Sequence, residues 1–364
     1  MRLPVVDPVP APPSPFETGP TSISAVRVLR ISITDRCNFR CVYCMPGEGV
    51  RWQPREDILT FEEIARVVRA AIDVHGIRRF KLTGGEPTVR HGLLDLVRLL
   101  RRIDGIEDLS LTTNGALLES LAAPLKECGL DRITVSIDSL RPDRFKQITR
   151  TGDLMTVLRG LDRCQDAGFA SLKINCVTMR GTNDDEFADF ARLTLNRKLT
   201  VRFIEYMPLG DAAILHTSDR PVSSSETGPA GGCGAQDRGS DAFISEPEVR
   251  SRIESELGAL EPVDRSTEPG VGPASVYRLE RGVGRIGFIS AMSAPFCSTC
   301  NRLRLTADGV LRSCLFDGGE VSIRELLRSG ATPRELAEEM TRCVRLKPQV
   351  HSAHGNQQMS RMGG

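Results

Sequence analysis

The sequence predicts an α/β fold: a partial (βα)6 barrel of the TIM type with a smaller C-terminal α+β extension. Three observations point there. Short apolar runs recur between residues 26 and 206, amphipathic stretches of helical period separate them, and polar motifs directly follow most of the runs.

Residues 1–22 are rich in Pro, Ser and Thr without apolar periodicity and are expected to form a disordered leader. Its acidic Asp7 and Glu17 speak against a transit peptide. Strands are expected at 26–33, 79–82, 109–112, 133–137, 172–177 and 201–206, dominated by apolar residues as in parallel strands covered on both faces. Thr60 and Glu63 form a capping-box pattern, after which Phe61, Ile64, Val67, Val68, Ala71 and Ile72 trace one apolar face. Residues 93–103, 153–168 and 184–196 carry the same helical period. Segment 35–44 follows the first strand, 83–87 the second, 113–115 the third, and Asp138 with Ser139 the fourth. In a βα barrel such loops share one rim, where active sites lie.

The barrel is thus expected over 23–210. Residues 211–243 include the small, polar, glycine-rich run SSSETGPAGGCGAQDRGSD and are expected to be a flexible insertion. Residues 244–364 are expected to form the second unit, with a helix at 246–257, β-like runs at 276–279, 284–289, 303–306 and 310–312, and helices at 323–328 and 333–345.

At 364 residues, with 40% hydrophobic and 26% charged content, the chain is long enough for a barrel-sized core. Its 48 Lys and Arg nearly cancel 47 Asp and Glu, so no global field favours nucleic acid or a membrane, and any anion site must be local. No apolar run approaches the ~20 residues of a membrane span, and no signal-peptide layout opens the chain. The expected location is the cytoplasm.

Two cysteine triplets dominate the chemistry: Cys37, Cys41 and Cys44 as CxxxCxxC, and Cys297, Cys300 and Cys314 as CxxC plus one. Each stops one ligand short of four, and a four-iron cluster held by three cysteines keeps one iron open to a small molecule. A zinc site with a remote fourth ligand is the alternative, but the five histidines (75, 91, 216, 351, 354) offer it little support. An odd total of 11 cysteines argues against a disulfide framework. Cys128, Cys164, Cys176, Cys233 and Cys343 form no ligand-like cluster.

Arg30, Lys81, Lys173 and Arg202 each interrupt an apolar strand run. For one such residue a salt-bridged or edge position is the commoner outcome; four together favour a basic lumen. Arg302 and Arg304 alternate along an expected strand and so project to one face. Converging cations beside an open cluster suit a polyanion such as a nucleoside triphosphate.

CNFRCVYCMP just after a first strand, with Tyr43 inside it, resembles the signature of the radical S-adenosylmethionine superfamily, and Gly84-Gly85-Glu86-Pro87 resembles its GGEP segment. The resemblance implies a [4Fe-4S] cluster on Cys37, Cys41 and Cys44, whose open iron chelates the methionine group of S-adenosylmethionine. It also implies cosubstrate contacts from Tyr43, Gly85, Glu86, Ser136 and Met207, with Glu86 receiving the methionine ammonium. The second triplet, with Arg302 and Arg304 between its members, resembles the GTP 3',8-cyclase family, lyases that open molybdenum cofactor biosynthesis. That resemblance runs from about residue 25 to 364 apart from the insertion.

It implies a second [4Fe-4S] cluster on Cys297, Cys300 and Cys314. GTP contacts are implied from Arg30, Lys81, Thr112, Lys173, Arg202, Arg302 and Arg304, Lys81 standing where relatives often carry Arg. The terminal Gly363 and Gly364 are implied in the active site, with Arg302 and Arg304 in catalytic roles. A flavodoxin- or ferredoxin-type electron donor, a downstream cyclic pyranopterin monophosphate synthase and a homodimer are the implied partners. Two rivals are a radical enzyme acting on a peptide, which usually carries more C-terminal cysteines, and a zinc protein with two structural sites, which lacks identifiable fourth ligands.

Overall fold

The computed structural model describes residues 19–209, 242–264, 272–316 and 319–351. The N-terminal part alternates strand and helix: β1 (Val28–Ser32), α1 (Phe61–His75), β2 (Arg79–Thr83), α2 (Leu93–Arg101), β3 (Asp108–Thr113), α3 (Leu118–Glu127) and β4 (Arg132–Ser136). It continues through α4 (Pro142–Thr149), α5 (Leu154–Asp166), β5 (Leu172–Thr178), α6 (Phe187–Asn196) and β6 (Leu199–Glu205). The expected capping box starts α1: Glu63 N–H donates to Thr60 Oγ1 (3.1 Å) and Thr60 N–H to Glu63 Oε2 (2.7 Å). The sequence predicts no helix at α3 or α4. Pro124 lies inside α3 and dilutes its signal, and α4 is short and mostly polar.

The C-terminal part contributes α7 (Glu246–Leu257), β7 (Leu260–Pro262), β8 (Ser275–Leu279), β9 (Arg285–Ile289), β10 (Arg302–Leu305), β11 (Val310–Arg312), β12 (Glu320–Ser322), α8 (Arg324–Arg328) and α9 (Pro333–Arg345). Its strands join the sheet begun by β1 to β6, giving the order β12-β11-β10-β1-β2-β3-β4-β5-β6-β9-β8-β7. The pairings of β10 with β1 and of β9 with β6 are parallel, and the outer pairs at both ends are antiparallel. The barrel is therefore partial, ending in β12 on one side and β7 on the other. No helix among the described residues is long and apolar enough to cross a membrane.

Alternation along the strands decides where polar groups go. Leu29, Ile31, Phe80, Leu82, Leu109, Leu111, Ile133, Val135, Ile174, Val201 and Leu303 are fully buried within the main apolar core. The intervening Arg30, Lys81, Ser110, Thr112, Thr134, Lys173, Asn175, Arg202 and Arg304 line the lumen on the opposite face. The lumen is thus polar and cationic, unlike the apolar interior common in closed barrels.

An aromatic cluster closes the junction of β6 with β9. Phe203 stacks on Phe288 (5.8 Å between centroids) and meets the edges of Phe187 (5.5 Å) and Phe190 (6.3 Å), while Tyr277 packs edge-on against Phe288 (5.6 Å). Phe203→Ala is expected to lower stability by about 3–5 kcal/mol, measured as a reduced denaturant midpoint; an unchanged midpoint would show that the junction is held by the strand hydrogen bonds.

Candidate functional site

The loop carrying the first cysteine triplet is latched on both sides. Gly85 N–H donates to Thr34 O and Glu86 N–H to Arg36 O, both at 2.7 Å, joining the two strand-end loops next to Cys37. A Cβ on Gly85 would lie 2.4 Å from Arg36 O and 2.5 Å from Asp35 O, so only glycine allows this approach. On the other side Arg40 N–H bonds Thr149 O (3.0 Å) and Val42 N–H bonds Ile148 O (2.9 Å). Arg150, whose φ of 61° is positive, donates through Nη1 to Arg40 O (3.0 Å) and Met45 O (3.1 Å).

Glu86 is buried, and its Oε1 accepts from Thr88 N–H (3.0 Å), Thr88 Oγ1 (2.5 Å) and Thr113 Oγ1 (2.6 Å). Oε2 accepts from Asn114 N–H (2.6 Å), tying the second strand-end loop to the third. Burial pushes this carboxyl upward, and the bonds from Thr113, Thr88 and Asn114 oppose the push. Tyr43 donates through its hydroxyl to Asp138 Oδ2 (2.7 Å), while Asp138 Oδ1 accepts from Val177 N–H (2.9 Å). Burial raises Asp138 to about 6 despite the bonds from Val177 and Tyr43. Ser136 ends β4, and its register partner on β5 is Asn175.

Burial raises Cys37 to about 11, the charge of Glu86 adding to the effect. It raises Cys41 too, assisted by repulsion from Cys44, Asp138 and Cys37. Cys297 is raised by burial and, beyond the opposing backbone bond of His351, by Cys314 and Cys300. Within each triplet the charges of neighbouring thiolates thus help to raise a cysteine, an effect that a bound cationic centre would relieve. Among the described residues no three His, Cys, Asp or Glu side chains are arranged for a single metal ion. A donor set of three thiols is one that an iron–sulfur cluster can use.

The second triplet lies on the wall of a cavity of about 220 Å³ within the lumen. Cys297 opens a short 3-10 turn that Cys300 caps, and Cys314 follows β11. Glu205, buried at the end of β6, holds the approach to that turn by accepting from Met292 N–H (2.8 Å), Ser293 N–H (2.9 Å) and Ser293 Oγ (2.5 Å). From α9's exit, buried Lys347 donates through Nζ to Cys300 O (3.2 Å) and Arg302 O (3.0 Å). Burial raises the Cys300 thiol, but the charges of Arg302 and Lys347 outweigh it and bring the thiol down to about 7.

The cavity unites Arg30, Lys81, Thr112, Lys173, Arg202, Arg302, Arg304 and Met207 from the sequence expectation. Asp108 is the one carboxylate among its described lining residues, and it is engaged by Arg132. Arg30 stands in register with both Arg304 and Lys81. Burial, then the charges of Arg304, Arg302 and Arg202, depress Arg30. Lys81 is depressed by burial, Arg202, Arg30 and Lys173. Arg202 and Arg304 fall to about 10, burial being the largest cause for each.

Tyr43, Gly85, Glu86 and Ser136 are not on that cavity's wall, and Gly363 and Gly364 lie outside the described residues, as does most of the 211–243 insertion. Sequence reasoning missed Asn175, Asp138's grip on Tyr43, Glu205 and Lys347. Asn175 was within reach, being two residues beyond Lys173 on the same strand face. Glu205 and Lys347 carry no local signal, because their partners are distant in sequence.

Known proteins place this geometry in a class. Residues 31–194 match the Radical SAM superfamily and residues 226–353 match Molybdenum Cofactor Synthesis C. The fold resembles that of SuiB from Streptococcus suis, with a TM-score of 0.51 and 12% identity over 84% of this chain and 66% of that one. Residues 31–194 thus place that part of the chain with the radical SAM class, which implies a [4Fe-4S] cluster and S-adenosylmethionine.

Within that class, the GTP 3',8-cyclase of Pelotomaculum thermopropionicum is 46% identical over 343 residues, spanning 93% of this chain and 98% of its relative. Those of Moorella thermoacetica (46%, covering 93% and 98%) and Thermodesulfovibrio yellowstonii (42%, covering 92% and 97%) are similar over nearly the same span. The chain belongs to the GTP 3',8-cyclase family.

Gly85→Ala is expected to force the two strand-end loops apart and to cost about 1–3 kcal/mol. A denaturant midpoint equal to that of the unaltered chain would show that the approach of Thr34–Arg36 to Gly85 is not required.

Proposed function

We propose that this protein is a radical S-adenosylmethionine enzyme converting GTP to (8S)-3',8-cyclo-7,8-dihydroguanosine 5'-triphosphate, the first step of molybdenum cofactor biosynthesis. The observation that carries this reading is the single cavity in which Arg30, Lys81, Lys173, Arg202, Arg302 and Arg304 meet the second cysteine triplet. A triphosphate is the ligand such a wall suits. Its several negative charges offset the mutual repulsion of the cations, and guanidinium forks take phosphate oxygens in pairs.

Cys37, Cys41 and Cys44 would hold the cluster implied by the superfamily, and Cys297, Cys300 and Cys314 would hold a second one. Bound at the first triplet, a [4Fe-4S] cluster would supply the electron for reductive cleavage of the sulfonium of S-adenosylmethionine, with methionine as the group released. The chain's own part is positioning. Gly85 permits the close approach of two loops beside the cosubstrate. Glu86 holds a buried carboxylate whose Oε2 has capacity left beyond Asn114 N–H, suited to the methionine ammonium. Tyr43, steadied by Asp138, and Ser136 and Met207 complete the cosubstrate's surroundings.

Arg302 and Arg304 present their charges from the strand that follows Cys300, and Thr112 offers a hydroxyl from β3. Together these hold GTP between the triplets, with the ribose toward the first and the base toward the second. Gly363 and Gly364 complete the site in this reading. A flavodoxin- or ferredoxin-type donor reduces the protein, the product passes to a cyclic pyranopterin monophosphate synthase, and a cytoplasmic homodimer is the working form.

The test is anaerobic reconstitution with iron and sulfide, followed by addition of S-adenosylmethionine and a reductant with and without GTP. Release of 5'-deoxyadenosine is expected to depend on GTP; release indifferent to GTP would sink the cyclase reading. Arg304→Ala is expected to weaken GTP binding by about tenfold to a hundredfold while iron content stays unchanged. Loss of iron in that variant would assign Arg304 to the cysteine site instead.

A further inference from the structure

Several polar atoms of cavity-lining residues are buried without a hydrogen-bond partner among the described residues: Thr112 Oγ1, Asn175 Oδ1, Arg202 Nε and Ser313 Oγ. Buried polar atoms are rarely left unpaired, and on a cavity wall they mark where a ligand supplies the missing partner. Thr112 and Arg202 already belong to the GTP reading, and Ser313 adjoins Cys314. Asn175 has no role so far.

Its place in the sheet is informative. Asn175 lies two residues beyond Lys173 and so shares its lumenal face. Its register partner on β4 is Ser136, assigned to the cosubstrate, and on β6 it is Arg202, assigned to GTP. It therefore stands where the two binding regions adjoin. The side chain is neutral among the cations of the wall, and the atom it keeps buried without a partner among the described residues, Oδ1, is an acceptor. Phosphate oxygens at neutral pH are themselves acceptors and cannot satisfy it. The group it needs is a hydroxyl or N–H donor, and on the cosubstrate side of GTP the donors are the ribose hydroxyls.

We propose that Asn175 is a specificity-determining residue whose Oδ1 accepts a hydrogen bond from a ribose hydroxyl of GTP, holding the sugar edge toward the cosubstrate. This rests on the GTP reading above. A site built to pair a hydroxyl discriminates against an analogue lacking it, because the buried acceptor is then left unsatisfied.

The experiment compares GTP with 2',3'-dideoxyGTP by equilibrium dialysis against the full, anaerobically reconstituted chain without S-adenosylmethionine. It is run on the unaltered protein, Asn175→Ala and Asn175→Ser. The unaltered protein is expected to prefer GTP. Asn175→Ala is expected to lose about fivefold to tenfold in affinity for GTP and to keep its affinity for the dideoxy nucleotide within about twofold. That retained affinity also reports an intact site. Should the alanine chain not fold, the smaller polar change to serine supplies the same comparison. Equal losses for both nucleotides, or no loss for GTP, would overturn the role of Asn175 and leave the GTP reading standing. An unaltered protein that binds neither nucleotide would overturn the GTP reading and this inference together.

Discussion

The structure depends on holding like charges together inside a protein. Arg30, Arg304, Lys81 and Arg202 face one lumen, and each is held below its ordinary pKa by burial first and mostly by its cationic neighbours next. Left in a loose chain, these side chains would separate into water. They stay together because each sits on a strand whose opposite face is apolar and fully buried. Packing of Leu29, Phe80, Val201 and Leu303 against the surrounding core sets the positions of the neighbouring cations. The hydrophobic layer thereby maintains an electrostatic arrangement that is unfavourable until an anion enters.

The C-terminal strands complete this arrangement. β10 extends the sheet beside β1 and puts Arg304 in register with Arg30, while β9 extends it beside β6 across the Phe203–Phe288 stack. Cys297 and Cys300 lie between these two strands in sequence and Cys314 follows β11, so the added strands carry the second triplet to the cavity. Glu205 and Lys347 then fix its turn from opposite sides, one from the end of β6 and one from beyond α9. Both bind backbone atoms of the 292–302 segment, so the cysteines are positioned through the main chain that bears them.

The first triplet is organised differently. Its loop follows β1 directly and is braced by Gly85 and Glu86 after β2 and by residues 148–150 at the end of α4. Glu86 extends the brace to Asn114 and Thr113, and Tyr43 with Asp138 extends it to β5. Successive strand ends are thus linked around the rim by single polar side chains. Such bonds are strong in a buried setting and leave little freedom to the loop that bears the thiols.

Much of this was legible in the residues alone. Strand and helix placement, the Thr60–Glu63 cap, the two triplets and the lumenal side of Arg30, Lys81, Lys173 and Arg202 follow from periods of 2.0 and 3.6 and from short motifs, because neighbours in sequence encode them. Two helices escaped notice for equally local reasons, an internal Pro124 and the polar face of α4. What folding added are relations between distant residues: β10 beside β1, Arg304 opposite Arg30, Asn175 between Ser136 and Arg202, and the grips of Glu205 and Lys347. Strand order and register depend on how whole faces pack, and no local pattern specifies which distant face will be the partner.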